Sequence, residues 1–171
     1  MTPPTLQAPE ALGVDILHAA PLLVLFAGAM AILLVEAIVR PRDRWVQAGL
    51  ASITLLTALG LMIFHAGHAQ GSAFSGMLAL DAYGTFFSVL FCLIALVVTV
   101  MSPDYMSRIE LGVGEYYALL LFAVMGMILM AMGQDLMMLF VALEIMSISV
   151  RFSASQSGSS QMGRMLPNRT I

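Results

Sequence analysis

Lysine is absent from this sequence of 171 residues, and charged residues of all kinds make up only 10% of it. A soluble domain carries about 25% charged residues, so this chain has too few to cover a water-exposed surface. Its seven basic residues are all arginines, and they form no basic stripe of the kind that binds nucleic acid. These shortages argue against a nucleic-acid partner and predict a protein that contacts membrane lipid.

Cysteine is nearly absent as well, because Cys92 is the only one. One cysteine allows no intrachain disulfide and cannot hold an iron–sulfur cluster, so Cys92 is interpreted as a small packing residue. His65 and His68 have no third ligand close to them in the sequence, which favours a solvated loop over a metal site. No glycine-rich nucleotide loop follows a strand. The sequence therefore predicts no metal and no cofactor in this chain.

Apolar residues make up 60% of the chain, and they occur in five long runs. The sequence predicts an all-α, polytopic membrane bundle of about five transmembrane helices, near residues 21–39, 46–64, 83–101, 115–132 and 136–150. Residues 1–20 form a polar lead outside the membrane, residues 21–150 the helix bundle, and residues 151–171 a tail. The tail is rich in Ser, Gly and Gln and is expected to be disordered.

The arginines lie after the first, third and fifth predicted helices, and none occurs in the other connections. Arginine-rich loops stay on the cytoplasmic side, so the N-terminus is expected outside and the tail inside. The lead has no basic residue, so it does not read as a cleaved signal, and the first helix is expected to remain as an anchor.

Glu144 is the one carboxylate inside the fifth apolar run. It lies about 13 Å along the helix from Asp135, near the middle of a hydrocarbon core about 30 Å thick. An ionisable group at that depth is costly and indicates a functional site, here a proton-transfer residue. The alternative is a protonated carboxyl group that only bonds a neighbouring helix.

Three further residues are candidates for a polar path: Glu115, Ser147 and Glu36. Each also has a structural interpretation. Glu115 stands in the first turn of its helix and complements the helix dipole there. Glu36 is near a helix end and could pair with Arg40 four residues later. Ser147 is one turn beyond Glu144 and can hydrogen-bond to it.

Residues 114–149, GEYYALLLFAVMGMILMAMGQDLMMLFVALEIMSIS, resemble subunit N of the bacterial proton-pumping NADH–quinone oxidoreductase, respiratory complex I. The segments LDAYGTFFSVLF (80–91) and SPDYMSR (102–108) fit the same subunit. The resemblance covers about residues 21–150 and is strongest in its last third. It implies a place in the bacterial inner membrane, with other membrane-arm subunits and lipid as partners.

The resemblance also implies a mechanism. A glutamate of the fifth helix pairs with a lysine on a later helix, and modulation of that pair drives proton transfer. Glu144 matches the glutamate, whereas no lysine can be matched. NADH, FMN, iron–sulfur clusters and a quinone would be bound by other subunits. Because the family's second repeat has no counterpart, the sequence is interpreted as an N-terminal fragment of subunit N with an unrelated tail.

Two other classes remain open from the residues themselves. One is a subunit of a monovalent cation/proton antiporter, which uses a similar helix bundle. The other is a truncated membrane bundle without transport activity.

Overall fold

The computed structural model describes residues 19–39, 44–66, 71–73, 77–106 and 113–165. Five helices dominate these residues: α1 Ala20–Val39, α2 Arg44–Ala66, α3 Ala82–Met106, α4 Val113–Met132 and α5 Leu136–Met165. Two short strands, β1 Gly71–Ala73 and β2 Leu78–Leu80, lie between α2 and α3. The predicted all-α bundle of five helices is confirmed, and most of the predicted lead lies outside the described residues.

Four of the five helices are long and apolar enough to cross a membrane: Ala20–Ile38, Trp45–Phe64, Ala82–Pro103 and Gly114–Met132. The remaining predicted transmembrane helix, α5, is not among these four. Helix α5 differs because its apolar part contains Glu144 and gives way to Arg151 and a polar sequence.

Helix α5 continues through Arg151 to Met165. This differs from the predicted helix end at Val150 and from the predicted disorder of the tail over residues 151–165. No proline interrupts this extension before Pro167, and its Ala, Gln, Met and Arg residues favour a helix, whereas its serines and glycines do not. At 1.5 Å per residue α5 is about 45 Å long and α4 about 30 Å, so the last part of α5 reaches beyond its neighbour.

Helix α4 is the centre of the bundle and packs against α5, α1 and α3, with a smaller contact to α2. Its buried side chains Tyr117, Leu121 and Ile128 join Leu25 of α1 and Leu55 of α2 in one core. Cys92 of α3 is part of the same core, which confirms its predicted packing role. The hydroxyls of Ser52, Thr54 and Thr57 each donate to the carbonyl four residues earlier in α2.

A small antiparallel hairpin covers the turn between α4 and α5. Ser72 pairs with Ala79, Leu78 bridges to Gly133, and the Gln134 N–H donates to the Met77 carbonyl over 3.0 Å. This segment lies between the predicted helices, as expected, but its strands are not predictable from the sequence, because three residues are too few to show alternation. The side of the bundle with the hairpin is called the hairpin end. The opposite side, where α1 ends and α2 and α4 begin, is called the arginine end.

Candidate functional site

The rotation of α5 is set by its close packing on α4. A Cβ atom added to Gly126 of α4 would lie 3.0 Å from the carbonyl oxygen of Ala142 and 3.3 Å from Cβ of Met146. Glycine at this position therefore lets the two helix backbones approach closely, as small residues do in membrane bundles. Ala142 is fully buried as a result.

Glu144 consequently points away from α4. It follows Ala142 by two residues, which turns it about 200° around the helix axis. It is exposed together with four neighbours on the same side of α5: Phe140, Val141, Ser147 and Ile148. These five residues are called the Glu144 face. Among the described residues, no hydrogen bond or ion pair reaches Glu144.

The depth of Glu144 follows from the same contact. Because Ala142 and Met146 flank Gly126, Glu144 is level with Gly126 in the span Gly114–Met132. Counting residues along α4 places it about 18 Å from the first residue of that span and about 9 Å from the last. The carboxylate therefore lies within the apolar thickness of the bundle and on its surface.

The structure divides the sequence-predicted site residues into two groups. Ser147 shares the Glu144 face. Glu115 is half-buried in the first turn of α4. Glu36 lies beside it at the arginine end, since a Cβ on Gly114 would be 2.9 Å from Glu36 Oε2. Glu36 and Glu115 thus lie at the same end of the bundle, about 18 Å along the helix axis from the level of Glu144.

Further polar side chains are buried at the arginine end. Gln47 of α2 is 1% exposed, and its Nε2 donates a hydrogen bond to Glu36 Oε2. Tyr117 of α4 is 0% exposed and follows Gly114 by three residues, on the same side of the helix. Ser102 of α3 is also buried and faces the Tyr117 hydroxyl without forming a hydrogen bond of normal geometry. Glu36, Gln47, Ser102 and Tyr117 are called the arginine-end cluster.

Sequence reasoning missed Gln47 and Tyr117. Gln47 follows Trp45 and Val46, which are both exposed, and nothing in that stretch marks the glutamine as the buried member. Tyr116 and Tyr117 are adjacent and chemically identical, yet only Tyr117 is fully buried. No local pattern separates them.

The part of the chain that the structure describes contains no group of three His, Cys, Asp or Glu residues that could hold a metal ion. The chemistry that this part offers is that of carboxylates: Glu144 on an apolar surface, and Glu36 and Glu115 at one end of the bundle.

Comparison with known proteins finds no matching family model. Individual relatives do match. The chain is 39% identical over 137 residues to NADH-quinone oxidoreductase subunit N of Chloroflexus aggregans, covering 80% of this chain and 28% of the relative. It is 40% identical over 145 residues to subunit N 1 of Koribacter versatilis, covering 79% and 28%. It is 33% identical over 142 residues to F(420)H(2) dehydrogenase subunit N of Methanosarcina mazei, covering 79% and 29%. The chain thus spans little more than a quarter of the length of these curated relatives.

Proposed function

Because this chain is homologous over about four-fifths of its length to subunit N of the NADH-quinone oxidoreductases, we propose that it forms part of the proton-translocating membrane domain of such an enzyme. In this proposal the chain carries protons and binds no electron carrier. NADH, FMN, iron–sulfur clusters and the quinone are bound by partner subunits, and other membrane subunits and lipid surround the bundle.

The names of the relatives support the assignment of proton movement to this chain and of electron-carrier binding to partner subunits. The same segment matches subunits of enzymes named for two different electron donors, NADH and F420H2. A segment shared between enzymes with different donors is suited to a task that both have in common. Moving protons across the membrane is such a task, whereas recognising the donor is not.

The observation that carries the proposal is the position of Glu144. It is the one carboxylate in the apolar part of α5, and it is exposed within the apolar thickness of the bundle. An ionisable group that faced lipid at this depth would cost several kcal/mol or more, so such groups face protein or a water-filled cavity. In the proposal, further protein covers the Glu144 face and brings a cation to the carboxylate. A nearby cation favours the ionised form and its withdrawal favours proton uptake, so moving it switches Glu144 between release and uptake.

The proposed setting is the bacterial inner membrane, with the N-terminus outside. The support for this orientation is the placement of the arginines after α1, α3 and in the second half of α5. The arginine end then faces the cytoplasm and the hairpin end faces the outside.

The proposal is tested by substituting Glu144 in a full-length subunit. The segment replaces the matching stretch of the Chloroflexus aggregans subunit N, and NADH-driven proton uptake is measured in inverted membrane vesicles. Glu144→Gln keeps the shape and hydrogen-bonding capacity but removes the titration. We expect it to lower proton translocation several-fold while the complex still assembles on native gels.

Asp135→Asn is the matched control, since it makes the same acid-to-amide change on the same helix at an exposed residue of the hairpin end. It should leave translocation unchanged. Normal pumping by Glu144→Gln, combined with failed assembly of Glu144→Ala, would assign Glu144 to packing and refute the proposal.

A further inference from the structure

The arginine-end cluster contains two buried polar atoms that lack partners. Gln47 Oε1 and the Tyr117 hydroxyl form no hydrogen bond with any residue that the structure describes. Their side chains are 1% and 0% exposed, so bulk water does not reach them. Buried polar groups in proteins nearly always have a partner, which is either another protein group or an ordered water molecule.

The orientation of the Gln47 amide is imposed by Glu36. A carboxylate can only accept hydrogen bonds, so the Nε2 side of the amide must face it, as observed. Oε1 is therefore turned away from Glu36 and requires a donor from elsewhere. The Tyr117 hydroxyl can donate one hydrogen bond and also accept.

Water fits this pair of atoms better than a cation does. Water can both donate and accept hydrogen bonds, so it can serve Gln47 Oε1 as a donor and the Tyr117 hydroxyl as an acceptor. A metal cation would satisfy the amide oxygen, but it cannot itself accept the hydroxyl proton of Tyr117. The cations that prefer oxygen ligands also require about six or more of them, and the described cluster does not offer that number.

We propose that ordered water occupies the arginine-end cluster, hydrogen-bonded to Gln47 Oε1 and to the Tyr117 hydroxyl. Through the Gln47 amide this water belongs to one network with the Glu36 carboxylate. The network makes the arginine end a hydrated polar site, about 18 Å from the level of Glu144. The inference does not depend on the role proposed for Glu144 and is tested on the chain itself.

The first test asks whether removing the Tyr117 hydroxyl lowers or raises the thermal stability of the chain. The full chain is reconstituted in lipid nanodiscs, and its thermal midpoint is followed by circular dichroism. If water binds the hydroxyl, Tyr117→Phe loses a hydrogen-bonded group and lowers the midpoint by about 2–4 °C. If the hydroxyl is dry and unpartnered, its removal eliminates the free-energy cost of burying an unsatisfied polar group, and the midpoint stays the same or rises. Tyr83→Phe, which removes a hydroxyl from an exposed tyrosine, controls for the general effect.

The second test detects the water directly. Infrared difference spectra of the chain in normal and ¹⁸O-labelled water should contain an isotope-sensitive O–H band from bound water. We expect this band to be lost in Tyr117→Phe and in Gln47→Leu and kept in Tyr83→Phe. A spectrum in which neither cluster variant changes any water band would overturn the proposal.

Two further outcomes would also overturn it. If Ser102→Ala reproduces the destabilisation of Tyr117→Phe and no water band changes, Ser102 is the direct partner of the hydroxyl. If the midpoint rises with sodium but not with an equal concentration of choline, and Gln47→Leu abolishes that rise, the cluster binds a cation.

Discussion

Replacing Gly28 of α1 by alanine is expected to destabilise the bundle by about 1–3 kcal/mol. A Cβ atom at this position would overlap the side chain of Thr54 on α2, with Oγ1 at 2.6 Å and Cβ at 2.9 Å, and it would also overlap the Thr54 methyl group. Ordinary contacts between carbon atoms are about 3.5–4.0 Å, so the overlap must be relieved by movement.

The magnitude follows from the two available movements. Rotating Thr54 would break the hydrogen bond from its hydroxyl to the Leu50 carbonyl, which is 2.9 Å long. A bond of this kind contributes about 0.5–1.5 kcal/mol. Rotation leaves Thr54 Cβ in place, so the helices must also separate, and overpacking of this sort costs about 1–3 kcal/mol. The higher helix propensity of alanine offsets about 1 kcal/mol of the total.

Gly60 of α2 provides the matched control, because a Cβ there would meet nothing within 4 Å. Gly60→Ala should be neutral or stabilise the chain by up to about 1 kcal/mol. Unfolding of both variants by SDS in mixed micelles is followed by circular dichroism and by the fluorescence of Trp45, the single tryptophan. Adding Thr54→Ala to Gly28→Ala should recover part of the loss, since it removes two of the three overlapping atoms. Equal stability of Gly28→Ala and Gly60→Ala would refute the close approach of α1 and α2.

Three other outcomes follow from the packing and the sequence. Gly126→Val should destabilise the α4–α5 pair by about 1–3 kcal/mol in the same unfolding assay, whereas Gly49→Val, at a glycine with open space around it, should cost much less. Cys92, which is 1% exposed, should react with a membrane-permeant maleimide much more slowly in the folded chain than after unfolding, and equal rates would contradict its burial. In a chain with Cys92→Ala, a single cysteine is introduced in place of Ser72 or Arg42, and the two cysteines should be labelled from opposite sides of the membrane. Labelling of the Arg42→Cys variant from outside would contradict the proposed orientation.

Local features of the structure could be predicted from neighbouring residues alone. Asp81 directly precedes α3, and its Oδ1 accepts a hydrogen bond of 2.7 Å from the Gly84 N–H. Such a cap depends on residues within one turn, and the sequence contains all of them. The five helices follow in the same way from runs of apolar residues.

The candidate site was predictable only in part. Glu144 could be singled out because a carboxylate within an apolar run is visible in the sequence, and its depth follows from counting residues. Its exposure could not be predicted, because that depends on the contact between Gly126 and Ala142. Gln47 and Tyr117 could not be found for the same reason, since their burial depends on helices that are distant in the sequence.

The sequence by itself determined that this is a membrane helix bundle, where its helices begin, and how far along the last helix its carboxylate lies. These properties depend on the hydropathy of successive residues and on the number of residues between them along the chain. Only the tertiary structure decided which side of each helix faces its neighbours, and therefore that Glu144 is exposed and Tyr117 is buried. In a soluble helix a polar face marks the outside, but lipid is as apolar as the core, so these helices are apolar all around. The rotation of each helix is then set by which small residues allow close approach, and that is a property of pairs of helices.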